Sequence, residues 1–316
     1  PTTTTEEIAN MSTNRRTFLK TISALPLAAT VSSASWASPG RSFDHKFKLS
    51  LNVYSFNALL RDGKIDLFDV LDFCAEHDFD AIDPTGYYFP GYPDVPDDTF
   101  INRFKRKAFL LGLDISGTGV RNEFATPDAA SRKSDVKMVG KWTEAAAKLG
   151  SPNIRVFAGK ADHTGHSRDE VFRWMADDVR ACCEFGERYG VIIALQNHND
   201  FLKTAADVER MFEMVDSKWL GLNLDIGSFR QGDPYDEIER VVDYAVTWQL
   251  KENVWIDGQQ TPTDFARLIP ILRKAGYRGY LPIETLGAGD MYEKIPTLLD
   301  QVRKGIADTE NLEVRS

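Results

Sequence analysis

Four stretches of this chain run apolar and then end in residues that hold cations, move protons or bind polar ligands. The first is VIIALQNHND, residues 191–200, which opens on β-branched Val191, Ile192 and Ile193 and closes on Gln196, His198 and Asp200. LGLNLDIGSF (220–229) delivers Asp225, AVTWQLKENV (245–254) delivers Gln249, Lys251 and Glu252, and YRGYLPIETLG (277–287) delivers Glu284. Apolar runs of this length read as strands buried on both faces. Polar groups crowded at their ends need a reason, because a buried unpaired polar group costs roughly 1–3 kcal/mol. Parallel α/β proteins bind ligands at the carboxyl ends of their strands. Successive strand ends of one design point to a single site.

Side chains alternate along a strand, so Gln196 shares a face with His198, and Gln249 with Lys251. With Asp225 and Glu284 on neighbouring strands, the strand ends collect oxygen donors, one imidazole and one ammonium, a set that suits a divalent ion such as Mn²⁺, Mg²⁺ or Zn²⁺. Such an ion would polarise a sugar carbonyl or hydroxyl and stabilise an enediolate oxygen. In the competing arrangement, Asp225 and Glu284 pair with a cation at the strand ends, for which Lys251 is the natural partner. Tyr87 and Tyr88, in an aromatic loop over 87–92, and Trp248 could stack on apolar sugar faces. Arg121, Asn122, Arg155, Asn52 and Glu252 lie at or near strand ends, where they could bond hydroxyls.

Around these residues strands and helices alternate. Strands are expected over 48–56, at the start of 79–93, over 113–120 and 153–159, within 191–200, and over 220–225, 245–251 and 279–285. Helices are expected over 65–78, 100–112, 135–149, 168–189, 204–215, 234–243, 263–275 and 291–304. No G-x-G-x-x-G follows a strand and no G-x-x-x-x-G-K occurs, so a doubly wound nucleotide-binding sheet lacks its signature. The alternation and length predict a single (β/α)8 TIM barrel over residues 46–305, with a tail over 306–316.

The chain has 316 residues, 42% hydrophobic and 27% charged, the make-up of an ordinary globular protein. Its net charge of −9 argues against nucleic-acid or anionic-membrane partners, which want basic surfaces. Cys74, Cys182 and Cys183 offer neither a disulfide framework nor a C-x-x-C metal knuckle. Residues 1–37 read as a leader: Arg15-Arg16-Thr17-Phe18-Leu19-Lys20 precedes an uncharged run rich in Ser, Thr and Ala that is too short and polar for a membrane helix. The consecutive arginines followed by Phe-Leu-Lys resemble a twin-arginine export signal, which implies a periplasmic protein that leaves the membrane once the signal is removed.

Residues 46–305 resemble the xylose isomerase-like barrels, the sugar phosphate isomerase/epimerase group. The resemblance lies in the last four strand ends. It implies one divalent metal held by a Glu on strand five, an Asp on strand six, a His on strand seven and a Glu on strand eight. Those places fall on Gln196, Asp225, Gln249 and Glu284, with the IETLG run at 283–287 especially typical. Gln196 and Gln249 depart from the pattern. In the family's epimerases the two glutamates also move protons, and an amide at Gln196 cannot act as a base, which leaves proton transfer to His198 or Lys251 beside Glu284. The resemblance implies a sugar isomerase or epimerase acting on a small carbohydrate through an enediolate. A lyase or deglycosidase on oxidised (3-keto) glycosides would use the same intermediate, and a non-catalytic sugar-binding barrel is the third reading.

Overall fold

In the computed structural model the described residues are 47–313 apart from Ala161, so the twin-arginine segment lies outside them. The apolar runs form β1 (Lys48–Asn52), β2 (Ala81–Asp83), β3 (Asp114–Ile115), β4 (Thr118–Gly119), β5 (Asn153–Phe157), β6 (Ile192–Gln196), β7 (Leu220–Asp225) and β8 (Ala245–Lys251). A hairpin of β9 (Asn253–Ile256) and β10 (Gln259–Pro262) follows, and then β11 (Tyr280–Glu284). The main sheet runs β3-β2-β1-β11-β8-β7-β6-β5-β4, with every pair parallel.

The single third strand expected over 113–120 is two short ones. β3 pairs with β2 and β4 with β5, and Ser116-Gly117 carries the chain between them. Side chains replace the missing ladder at this break. Ser116 Oγ meets Ser50 Oγ at 2.6 Å, Asn153 Nδ2 donates to the Ser116 carbonyl at 2.9 Å, and Thr118 Oγ1 donates to the Pro84 carbonyl at 2.7 Å. Counting β3 and β4 as one stave closes an eight-stave (β/α)8 barrel, in which β6, β7, β8 and β11 are staves five to eight.

The helices are α1 (Asn57–Arg61), α2 (Leu67–Glu76), α3 (Asp98–Leu110), α4 (Ala129–Leu149), α5 (Arg168–Tyr189), α6 (Ala205–Val215), α7 (Pro234–Val241), α8 (Phe265–Lys274) and α9 (Met291–Glu313). Side-chain caps at Asp66, Asp97, Asp128, Ser167, Thr204, Asp233 and Asp264 start α2 to α8. Each such cap is worth about 1 kcal/mol, and together they fix where the loops at the barrel mouth become helix. α9 runs well past the end expected at 304, because Thr309 is buried and Arg273 Nη2 bonds the Ile306 carbonyl at 3.3 Å. No described helix is long and apolar enough to cross a membrane. Cys74, Cys182 and Cys183 are free and buried.

Strand alternation divides the core. Leu51, Ile154, Val156, Ile193, Leu195, Leu222, Leu224, Leu250 and Ile283 are buried on the face that packs on the helices. The alternate positions, Ser50, Asn52, Asn153, Arg155, Gln196, Asn223, Asp225, Thr247, Gln249 and Glu284, are buried and polar. The barrel axis is therefore a polar column rather than an apolar plug, largely hydrogen-bonded within itself, with Gln196 Oε1, Asn223 Oδ1 and Thr247 Oγ1 buried without a partner among the described residues.

Candidate active site

Register puts the last polar residues of four staves on one face, level or stepped by two residues from stave to stave. Gln196 pairs with Asn223, Asp225 with Gln249, and Glu284 with Lys251. Gln196 Nε2 donates to Asp225 Oδ2 at 2.9 Å and to Gln249 Oε1 at 2.6 Å. Lys251 Nζ reaches Asp225 Oδ2 at 2.9 Å and Glu284 Oε2 at 2.9 Å. The other Asp225 oxygen accepts the Gly227 N–H at 3.0 Å. A Cβ on Gly227 would stand 2.9 Å from Lys251 Cδ, so the missing side chain is the channel through which the lysine reaches the cluster.

The electrostatics follow from this packing. Burial pushes the Asp225 carboxyl up, and the Lys251 charge, His198 and hydrogen bonds from Lys251 and Ser228 more than reverse it, holding Asp225 below the usual carboxylate range. Burial pulls Lys251 down, and the charges of Asp225 and Glu284 outweigh it, so its pKa is raised. Lys251 was expected among the proton-moving groups. The two carboxylates fix it instead as an ammonium, able to donate hydrogen bonds but not to accept a proton at neutral pH. A second buried carboxyl, Asp83 at the end of β2, bonds Asn52 Nδ2 at 2.9 Å. Burial raises its pKa to about 6, against the lowering influence of Arg155 and Asn52 and with a small push from Glu284.

The four residues expected to ligate a metal thus meet, but their arrangement does not fit an ion. An ammonium occupies the point between the two carboxylates, Asp225 is already bonded through both oxygens, and Gln196 turns N–H donors rather than an oxygen toward it. Among the described residues no group of three or more His, Cys, Asp or Glu could hold a metal.

Above the cluster opens a cavity of about 560 Å³ at the carboxyl ends of the staves, which Gln196, His198, Gln249, Lys251 and Glu284 all line. Of the expected sugar contacts, Tyr87, Arg121, Asn122 and Arg155 line it too. Arg155 Nη1 bonds the Val120 carbonyl at 2.6 Å, Nη2 bonds the Tyr87 hydroxyl at 3.3 Å, and the guanidinium lies 4.0 Å over the Phe157 ring. His198 stands edge-on to Phe157, 4.8 Å between ring centres, with Nδ1 3.4 Å from Asp200 Oδ2.

Other expected residues fall elsewhere. Trp248 is fully buried on the helix side of the wall against Tyr277, where no sugar could stack on it. Tyr88 turns its hydroxyl to Asn57 Oδ1 at 2.8 Å, Asn52 serves Asp83, and Glu252 is tied to Lys294 at 3.3 Å and to the Leu286 N–H at 3.3 Å. Asp200 lines the cavity as well, and the cavity residues not foreseen are Tyr54, Glu123, Asp135, Phe157, Gly159, Lys160 and Leu286. Asp200 closes the 191–200 run and was within reach of the strand-end rule, whereas Asp135, on a helix, carries no such signal.

A closed parallel barrel with one polar, charge-paired cavity at its mouth is the class that fold and site define. The chain belongs to the xylose isomerase-like TIM barrel family, which matches residues 71–307, three quarters of its length. Its fold is similar to that of 3-keto-D-glucoside 4-epimerase YcjR from E. coli, at 18% identity and a TM-score of 0.66 over 82% of this chain and 100% of that one. It is also similar to D-psicose 3-epimerase of Clostridium cellulolyticum H10, solved with D-tagatose, at 17% identity and a TM-score of 0.67 over 82% and 99% of the two chains. The IolI protein, solved with a zinc atom, gives 17% identity and a TM-score of 0.66 over 83% and 97%. At such identities the likeness is one of fold. No curated protein matches the chain in sequence.

Proposed function

We propose that this protein is an exported enzyme of the sugar isomerase/epimerase type, which moves a proton at a carbon beside the carbonyl of a sugar or keto-sugar through an enediolate. The observation that carries this reading is the Lys251 ammonium. Two of its N–H bonds go to Asp225 and Glu284, and the third is left for a ligand in the cavity that Lys251 lines. A fixed cation at the place where an oxyanion forms is the largest single aid to enolisation. Glu284 spends Oε2 on Lys251 and keeps Oε1 to take the carbon-bound proton, while His198, oriented by Asp200, is placed to hand a proton back. Gln196 Oε1 is buried without a donor among the described residues, and a substrate hydroxyl would satisfy it.

Four cations in the lining, Arg121, Arg155, Lys160 and Lys251, are matched by four carboxylates, Glu123, Asp135, Asp200 and Glu284. A lining without net charge suits a neutral sugar better than a phosphorylated one. The fold relatives that act on a 3-keto-glucoside or were solved with D-tagatose support the same class. Export rests on Arg15-Arg16 and its uncharged run, and replacing both arginines by lysine should hold the protein in the cytoplasmic fraction.

One observation favours a lyase or deglycosidase on 3-keto glycosides as the second reading. The amide at Gln196 leaves a single carboxylate at the substrate carbon, enough for elimination but not for a symmetric two-base epimerisation. The test is carbon-bound hydrogen exchange in D₂O, followed by NMR over a panel of sugars, keto-sugars and 3-keto glycosides. Exchange that drops about a hundredfold or more in Glu284→Gln supports the enzyme, and release of the aglycone selects the lyase. Saturable sugar binding with no exchange on any substrate would make the protein a binder and end the proposal.

A further inference from the structure

The point between Asp225 Oδ2 and Glu284 Oε2 is where any cation in this site must sit, and Lys251 Nζ holds it at 2.9 Å from each. We propose that the Lys251 ammonium is the resident cation of this site in place of a divalent ion, so that the protein binds no metal here and enolises its substrate without one. The metal half of this proposal stands by itself, and the catalytic half rests on the enolising function proposed above.

Three observations carry it. The first is saturation: Asp225 accepts from Lys251 and Gln196 on one oxygen and from the Gly227 main chain on the other, so an ion would have to break these bonds to reach it. The second is polarity. Gln196 Nε2 lies within hydrogen-bond reach of both Asp225 Oδ2 and Gln249 Oε1, and turning its oxygen inward instead would set three acceptors against one another. The third is charge. Two carboxylates and one ammonium leave the cluster at −1, and a third carboxylate at position 196 would leave −2 in a buried place. The neutral amide at 196 and the ammonium at 251 are therefore a matched pair. Gly227, whose absent Cβ would lie 2.9 Å from Lys251 Cδ, opens the path that makes the pairing possible.

In the reaction the substrate C–H bond breaks, its proton passes to Glu284 Oε1, and the carbonyl π pair moves onto oxygen. That oxygen accepts the third Lys251 N–H bond while the ammonium keeps its proton. Reprotonation of carbon returns the electrons, so no oxidant or second reactant enters.

The test measures metal directly on the purified full chain. Elemental analysis and calorimetric titration with Mn²⁺ and Zn²⁺ should find no stoichiometric ion in the wild type, and any exchange activity should survive EDTA unchanged. Lys251→Ala combined with Gln196→Glu frees the carboxylates and adds a third, and it should bind Mn²⁺ about 10- to 100-fold tighter than wild type, the range that groups around a metal site command. One tightly held Mn²⁺ or Zn²⁺ per wild-type chain, or exchange lost to EDTA, overturns the proposal whether or not the double variant folds. A folded double variant that gains no affinity also overturns it. If no sugar undergoes exchange, the enolising function fails while the metal measurement still decides the identity of the cation.

Discussion

The Asn197 carboxamide is tied twice to the main chain of Asp225, donating from Nδ2 to its carbonyl at 3.0 Å and accepting its N–H on Oδ1 at 2.8 Å. Asn122 does the same to Phe157 at the end of the neighbouring stave β5, at 2.8 Å in each direction. These side chains extend the pairing between staves past the point where the strands stop, and so hold the catalytic ends in register. Replacing Asn197 by Leu strands the buried Asp225 N–H, while its carbonyl keeps the Ser228 N–H at 3.2 Å, and this should cost about 1–3 kcal/mol in urea unfolding. Because Asp225 anchors Lys251, exchange should fall more in this variant than in Asn122→Leu. Equal losses in the two would remove the special role given to Asp225.

Arg155 depends on a glycine. A Cβ on Gly119 would stand 2.9 Å from Arg155 Nε and 3.0 Å from Cζ, so Gly119→Ala must push the guanidinium off the Val120 carbonyl and the Tyr87 hydroxyl. Losing an interaction worth roughly 1–1.5 kcal/mol should weaken sugar binding about tenfold by calorimetry. Arg155→Lys should do the same, since a lysine cannot hold two partners in a planar fork. A turnover number that collapses with unchanged binding would instead place Arg155 at the reacting carbon.

Asp83 sets a pH dependence with an unusual sign. Its folded pKa is raised from 3.8 to about 6, chiefly by burial, so the folded state binds its proton more tightly than the unfolded chain does. Its contribution therefore favours folding below about pH 4, declines as pH rises to about 6 and is constant above that. Asp83→Asn keeps an acceptor for Asn52 and removes the titration. Relative to wild type the variant should gain on the order of 2 kcal/mol between pH 4 and pH 6.5, read from urea unfolding at each pH. A pH-independent difference would mean that Asp83 stays ionised in the fold.

The stave order and the convergence of Gln196, Asp225, Gln249 and Glu284 were legible because a short apolar run ending in polar groups is a local signal. Parity was legible as well: the alternation that turns Gln249 inward turns Trp248 outward, and the strand-end rule that found Asp225 applies equally to Asp83. Three features were not readable along the chain. The break at Ser116-Gly117 depends on side chains of other staves, Ser50 and Asn153. Asp135 enters the cavity from α4. Whether Lys251 moves protons or pairs with carboxylates turns on reach through the space at Gly227, which spacing does not encode.

The Lys251 bridge should impose its own pH window. Asp225 is held below the usual carboxylate range and Lys251 above the usual ammonium range, so their mutual stabilisation is complete between those ordinary values. It is lost as pH falls through the folded Asp225 value or rises through that of Lys251. Lys251→Met removes the cation and leaves Asp225 and Glu284 buried together without a counter-charge, which at pH 8 should cost about 3–5 kcal/mol. Lowering the pH lets one of the two carboxyls take up a proton, so the deficit should shrink toward pH 5. Urea unfolding of wild type and variant at both pH values checks this, and a deficit of the same size at each would show that Lys251 supports the barrel mouth by packing and not by charge.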